Sequence, residues 1–360
     1  MDSLGKERCW AEIDLAAVRH NARLARERSG SELLAVVKAN AYGHGMIEIA
    51  RALLEEAALF GVANAHEAGE LRASGSARPI LILGPALPEE RAVINAEGFI
   101  PSVSSAAEAR AFAENPSGIN FVIDTGMGRM GCWHEDVGAE LEKIPARQLH
   151  SLSTHLPVAD EDEAFTDEEL TRFAELVRQL RARIPGDYKV HVLLSAGILG
   201  FAQHRFDLVR AGLMLYGSSP LPNEQRSLRP ALTLKTRIVL LRGLPAGRSV
   251  SYGRTFTTSH PTRVATIGAG YADGYPRSLS NRDAAVLISG KRCPILGRIT
   301  MDLTMVDVTA VPDAQIGDEV VLIGRQGDTE ILASEIATRA GTIAWEIFTG
   351  IGSRVRRVYL

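Results

Sequence analysis

The sequence predicts an α/β protein, an N-terminal (β/α)8 barrel of the TIM type followed by a mainly β C-terminal domain. Three observations carry this. Up to about residue 220, short Val/Ile/Leu-rich runs alternate with helix-patterned stretches, in about eight units. Beyond Pro230 the apolar runs come closer together, with Gly, Pro and Asp turns between them. Between these textures lies a stretch, 218–230, rich in Ser, Pro and Asn, as domain connections often are.

The barrel strands are predicted at 33–39, 59–63, 79–84, 99–103, 120–125, 149–156, 189–195 and 208–217. They are apolar on consecutive positions, as parallel strands covered on both faces must be. Helices are predicted at 46–58, 66–73, 89–96, 105–114 and 167–184. Thr166-Asp-Glu-Glu169 has the form of a capping box and predicts the start of the last helix. A doubly wound open sheet is the competing arrangement, and the number of units favours the closed barrel. In the second part, strands are predicted at 232–241, 263–268, 285–289, 304–308 and 319–323, with a helix at 333–340. The domains expected are therefore 1–228 and 229–360, with the first ten or so residues packing on the β domain.

The 360 residues suffice for two hydrophobic cores, and 46% hydrophobic with 23% charged is the mix of a soluble globular protein. A formal net charge of -3 lacks the basic excess that phosphate-neutralising proteins carry, so no nucleic-acid partner is expected. Cys9, Cys132 and Cys293 are odd in number and far apart, with no CxxC pair; this suits a reducing compartment and no metal site. The segment 1–10 lacks the apolar core of a signal peptide, and no run reaches membrane-spanning length, so a cytoplasmic protein is expected.

The window 35–45, AVVKANAYGHG, is the most informative. Lys38 sits near the end of the first predicted barrel strand, where burial lowers a lysine pKa and frees its amine to form a Schiff base with an aldehyde. Taken alone, such a lysine is more simply one that snorkels from the barrel rim. Asp124-Thr-Gly-Met-Gly-Arg-Met-Gly131 places Arg129 in a glycine-rich turn after a strand. His155 ends the sixth predicted strand, where a lone histidine is more simply structural, and Ser195 and the segment Arg210-Ala-Gly-Leu213 end the seventh and eighth units, where barrel phosphate sites often form. The second domain contributes Ser249-Val-Ser-Tyr-Gly-Arg254, Ile267-Gly-Ala-Gly-Tyr-Ala-Asp-Gly274 and Arg298-Ile-Thr-Met-Asp302. The Gly pattern after Ile267 has the wrong spacing for a dinucleotide loop and no clear helix after it. The acidic run Asp160–Glu163 reads as a solvated loop.

AVVKANAYGHG closely resembles the cofactor-lysine segment of the alanine racemases, and the resemblance continues along nearly all of the chain. It implies a pyridoxal 5'-phosphate enzyme, built of a barrel and a β domain, working as a homodimer on a small amino acid. By resemblance Lys38 carries the cofactor and is one catalytic base, and Tyr252 is the other, delivered from the partner subunit. Arg129 holds the substrate carboxylate, with the Met301 N–H beside it and Tyr271 lining the gate. Tyr42, Ser195, Gly212 and Leu213 hold the cofactor phosphate, Arg210 faces the pyridine nitrogen, and His155 supports Tyr252. Trp345 aligns with a tyrosine near the phosphate.

Four positions depart from the family pattern. Val122 replaces a lysine that, in many members, carries a carbamate beside the carboxylate-binding arginine. Leu194, Thr300 and Trp345 stand for a common asparagine, cysteine and tyrosine. An indole donates one hydrogen bond and accepts none. The resemblance implies an isomerase interconverting L- and D-alanine and supplying D-alanine for peptidoglycan. A serine-preferring racemase, a decarboxylase on the same architecture and a cofactor-binding protein without turnover are the competing readings. The decarboxylase lacks support, since its cysteine–acid arrangement is missing here. The single-barrel cofactor-binding relatives lack a β domain.

Overall fold

The computed structural model describes residues 7–360, and its described residues divide into two compact units. One comprises residues 18–41 and 46–229; the other comprises residues up to 17, the short segment 42–45 and residues 230–360. The family-independent expectation of a barrel plus a β-rich second part is met in both.

The strands in chain order are β1 Cys9–Ile13, β2 Glu32–Val36, β3 Ala57–Val62, β4 Ile80–Pro85, β5 Ile100–Val103, β6 Ile119–Asp124, β7 Cys132–Trp133, β8 Leu149–Ser153, β9 Lys189–Leu194 and β10 Leu208–Ala211. β11 Leu232–Leu244, β12 Ser249–Val250, β13 Phe256–Thr257, β14 Thr262–Ile267, β15 Ala285–Ile288, β16 Lys291–Pro294, β17 Thr304–Asp307, β18 Glu319–Gln326, β19 Thr329–Ile331 and β20 Arg356–Tyr359 follow. In the first unit, β5, β4, β3, β2, β10, β9, β8 and β6 pair in that order, all parallel, and β5 closes on β6. Closure removes both sheet edges, which is the structural reason the barrel prevails over an open sheet. β7 is a two-residue addition beside β6.

The apolar runs end earlier than the sequence predicts. The first barrel strand stops at Val36, so Lys38 lies just past it. The run 208–217 is a strand only to Ala211 and then a 3-10 turn, Leu213–Tyr216. The predicted helix 46–58 spans Met46–Ala52, and β3 has already begun at Ala57.

The capping-box expectation at Thr166 is overturned. The helix Glu163–Arg183 starts a turn earlier, with the Asp162 carboxylate accepting from Phe165 N at 3.0 Å. Thr166 is already inside it, its hydroxyl donating back to the Asp162 carbonyl. Leu170, Phe173, Val177 and Leu180 form the buried stripe, and Glu169 lies on it too.

In the second unit β11 is the spine, pairing with β1, β14 and β18. Its exposure alternates residue by residue, with Leu232, Leu234, Thr236 and Ile238 buried, the period of a strand with one face inward. β1 lies antiparallel to β11 and parallel to β20, so Cys9–Ile13 belongs to this β sheet. The expectation for the first ten residues otherwise falls on residues 1–6, which lie outside the described residues. The segment 42–45 is held here as well: Arg357 Nε donates to the Gly43 carbonyl at 2.9 Å. A Cβ on Gly43, at φ +80°, would stand 2.3 Å from the Phe348 carbonyl oxygen. Among the described residues no helix is long and apolar enough to cross a membrane.

Candidate functional site

Lys38 opens a turn of unusual handedness. Ala39, Asn40, Ala41 and Tyr42 all have φ between 51° and 53°, a left-handed run of four side-chain-bearing residues. Each costs about 1–2 kcal/mol relative to the right-handed form, so other contacts must hold the turn. Glu67 supplies one: its Oε1 accepts from Ala39 N at 2.8 Å and its Oε2 from Ala63 N at 2.7 Å. Asn40 supplies another, its Oδ1 accepting from Met46 N at 2.9 Å. The strand behind is fixed by Tyr216, whose hydroxyl donates to the Val36 carbonyl at 2.8 Å. Burial lowers the Lys38 pKa, and Arg129 and Arg210 add to the effect, while Glu67 opposes it. The result is an amine that gives up its proton more readily than an ordinary lysine.

Arg210, near the end of β10, is 7% exposed and clamped from two sides. Its Nη1 donates to His191 Nδ1 at 2.9 Å, and its Nη2 donates to the carbonyls of Thr154 at 2.5 Å and Val192 at 3.0 Å. Desolvation and the charge of Arg129 bring its pKa down to about 10, which leaves it charged at neutral pH. Nε makes no hydrogen bond among the described residues, so one donor of a fixed guanidinium is left to meet an acceptor. That is what an unprotonated pyridine nitrogen requires.

The clamp continues across the barrel. With Nδ1 accepting from Arg210, His191 carries its proton on Nε2, which faces Ser151 Oγ at 3.3 Å. Ser151 donates to Asn120 Oδ1 at 3.0 Å, Asn120 to Ser102 Oγ at 2.9 Å, and Ser102 to the Ile82 carbonyl at 2.7 Å. Every member has the partner its chemistry needs, so the chain runs in one direction from arginine to carbonyl. Desolvation and Arg210 hold His191 well below its usual pKa, and it stays neutral.

His155 follows β8 and is also neutral: burial first, then Arg210, Arg129 and Lys38, push its pKa down to about 3. Its Nδ1 lies 3.5 Å from Arg210 Nη2, which assigns the proton to Nε2. Ser195 opens the turn after β9, and its Oγ accepts from Gly212 N at 3.3 Å and Met214 N at 3.1 Å. Its own hydroxyl proton remains to be donated. Gly212 and Leu213 are buried beside it. Charge and hydrogen bonds thus link Lys38, Arg129, His155 and Arg210, and tie Ser195 to Gly212.

Arg129 is exposed, and its guanidinium makes no hydrogen bond or ion pair among the described residues. The loop that carries it is tied by backbone contacts. Asp124 accepts from Gly126 N and Gly128 N at 2.9 and 3.0 Å, and Gly131 N donates to Ser104 Oγ at 2.9 Å.

The second unit carries the other predicted residues. Tyr252 is 70% exposed, on a turn where Ser251 (φ 65°, ψ -176°), Gly253 (φ 72°) and Arg254 (φ 51°) all have positive φ. Ser251 lies in a region that is nearly exclusive to glycine, and its hydroxyl holds the turn by donating to the Arg298 carbonyl at 2.5 Å. Tyr271 and Met301 are exposed and share a framework: Tyr271 N donates to the Thr300 carbonyl and Ala272 N to that of Met301. Trp345 is half-buried in the helix Ala344–Thr349, and buried Tyr42 has its hydroxyl pushed up to about 12 by desolvation.

Sequence reasoning missed His191, Ser151, Asn120 and Ser102, although each is a polar residue inside an otherwise apolar strand run. It also missed Glu67, which carries no local signal.

The donor set fits pyridoxal phosphate: a lysine amine of lowered pKa, a fixed guanidinium with a spare donor, and a serine hydroxyl with a proton to give. Comparisons agree. The family model described as alanine racemase, N-terminal domain, matches residues 13–220, and that described as alanine racemase, C-terminal domain, matches 231–359. The alanine racemase of Methylacidiphilum infernorum is 42% identical, over 98% of this chain and 92% of its own. The crystal structure of alanine racemase from D-cycloserine-producing Streptomyces lavendulae superposes with a TM-score of 0.88 at 39% identity, covering 98% and 97% of the two chains. That of the Bartonella henselae enzyme, with covalently bound pyridoxal phosphate, gives 0.88 at 31% identity, covering 98% and 100%. With strand order, donor set and full-length similarity in agreement, the chain belongs to the alanine racemase family of pyridoxal-phosphate-dependent isomerases.

Proposed function

We propose that this protein interconverts L- and D-alanine by a two-base mechanism, as a cytoplasmic homodimer that supplies D-alanine for peptidoglycan. The observation that carries the reading is the coincidence of Lys38, with its lowered pKa, and the clamped Arg210 in one barrel mouth.

The bound cofactor supplies electron withdrawal, which acidifies the Cα–H of the substrate amine. Lys38 would hold it, with Ser195, Gly212, Leu213 and Tyr42 about its phosphate and Trp345 nearby. Arg210 is always charged, so it presents a donor and keeps the ring nitrogen unprotonated. Arg210 would thereby limit how strongly the bound group withdraws electrons, which would favour return of the proton to Cα over side reactions.

Arg129 binds the substrate carboxylate with its planar fork, beside the Met301 N–H. Inversion needs one base on each face of Cα. The Lys38 Nζ takes the proton from D-alanine, and the Tyr252 hydroxyl of the partner subunit takes it from L-alanine. A phenol titrates near 10, so it needs help at neutral pH. A neutral His155 with its proton on Nε2 supplies that help as a donor to the phenolate, without adding a positive charge of its own. Tyr271 lines the approach of the substrate.

The test is proton NMR of the cofactor-loaded protein with L-alanine, and separately L-serine, in D2O, alongside a chiral assay. Loss of the Cα signal with the D-enantiomer appearing, faster for alanine, is expected. Cα exchange with serine only would replace the substrate assignment, and no exchange with either would remove the racemase reading.

A further inference from the structure

One buried carboxylate takes no part in the mechanism above. Glu169 is 0% exposed on the inner stripe of the helix Glu163–Arg183. Its Oε1 accepts a short hydrogen bond from the Thr125 hydroxyl, and Oε2 has no partner. Thr125 Oγ1 lies 2.7 Å from Thr154 Oγ1; since the Thr125 proton goes to Glu169, Thr154 donates to Thr125.

The two threonines stand at critical places. Thr125 follows β6 and begins the loop that carries Arg129. Thr154 follows β8, directly before His155, and its carbonyl receives Arg210 Nη2. The bridge therefore joins the Arg129 loop to the peptide that clamps Arg210. At Val122, 8% exposed on β6, there is no charge to orient the guanidinium.

We propose that Glu169 is a positioning residue for substrate binding, fixing the 124–131 loop through Thr125 and Thr154 in place of a charged partner for Arg129. This rests on the carboxylate-binding role of Arg129. Burial raises the Glu169 pKa, Asp124 adds to it, and the Thr125 hydrogen bond and Arg172 oppose. A neutral carboxyl group suffices for the bridge, because the acceptor is all that Thr125 uses.

The bridge predicts a specific pattern among variants. Glu169→Ala removes one hydrogen bond of the bridge and Thr125→Val removes both that the threonine hydroxyl makes; each is expected to raise KM for L-alanine about tenfold or somewhat more, with kcat changed less than about threefold. Their combination is expected to be no worse than Thr125→Val alone, because that variant already breaks the whole bridge. Glu169→Gln keeps an oxygen acceptor and is expected to restore KM to within about twofold of the parent. The dissociation constant of propionate for the cofactor-loaded protein, by calorimetry, should weaken in parallel, and it needs no turnover.

Lowered melting temperature with unchanged KM and propionate affinity in Glu169→Ala would mean a merely structural role and overturn the proposal. Failure of Gln to rescue would overturn it as well. If the parent protein shows no Cα exchange while propionate affinity still follows the bridge, the racemase reading falls and the positioning role stands.

Discussion

Lys38 shows how neighbours retune one side chain. Removal from water disfavours its ammonium, and the positive charges of Arg129 and Arg210 act in the same direction. A lowered pKa means more free amine at any given pH. In cofactor-free protein, acylation of Lys38 followed by peptide mass spectrometry should therefore reach half its maximal rate below the ~10.4 of an unperturbed lysine. Arg129→Ala removes a positive charge and should move that midpoint up. A midpoint at the ordinary value would show that the amine is solvated. The lysine itself was legible in the sequence as a charge at the end of an apolar run. The acidic neighbour that moderates it, Glu67, was not, because 29 positions of chain separate them only in sequence.

Elements decide how such residues are presented. Both proposed bases sit on positive-φ turns, Lys38 before the run Ala39–Tyr42 and Tyr252 between Ser251 and Gly253. A helix or strand would place neighbouring side chains on fixed faces, whereas these turns aim one side chain and hold it by hydrogen bonds from elsewhere. The left-handed run carries a local cost that glycine relieves. Ala39 is exposed, so Ala39→Gly should stabilise the protein by roughly 0.5–1 kcal/mol against urea, after the added freedom of the unfolded chain is deducted. A loss of stability would show that the turn is not left-handed in solution. The pattern of the sequence located the barrel strands and most of the helices it predicted, yet it missed the helix Leu15–Ser29, whose apolar positions are mostly alanines, and it predicted strand through Lys38 and a helix start at Thr166. At Lys38 strand propensity lost to hydrogen bonds that Glu67 and Asn40 make to the turn, and at Thr166 one local cap lost to another, Asp162 accepting from Phe165 N.

At the scale of the whole molecule, the proposed mechanism takes one base from each of two subunits. Protein carrying Lys38→Ala and protein carrying Tyr252→Phe should each be nearly inactive. After subunit exchange, one of the two sites in a mixed dimer regains both bases, so up to about a quarter of parental activity should return at equal mixing, given random pairing. Exchange demonstrated by mass without any recovery would put both bases in one subunit.

The sequence by itself determined the fold class and singled out candidate chemistry-bearing residues. Apolar runs at strand spacing can be buried only in a covered parallel sheet, and Lys38, Arg129, Arg210 and Tyr252 stand in motifs whose residue types suit amine, carboxylate and proton-transfer chemistry. Only the tertiary structure decided what surrounds them. The line from Arg210 through His191, Ser151, Asn120 and Ser102 runs across five different strands, and Glu169 reaches Thr125 over 44 positions of chain. Hydrogen bonds of that kind follow from strand register and barrel closure, which bring together side chains that no local pattern connects.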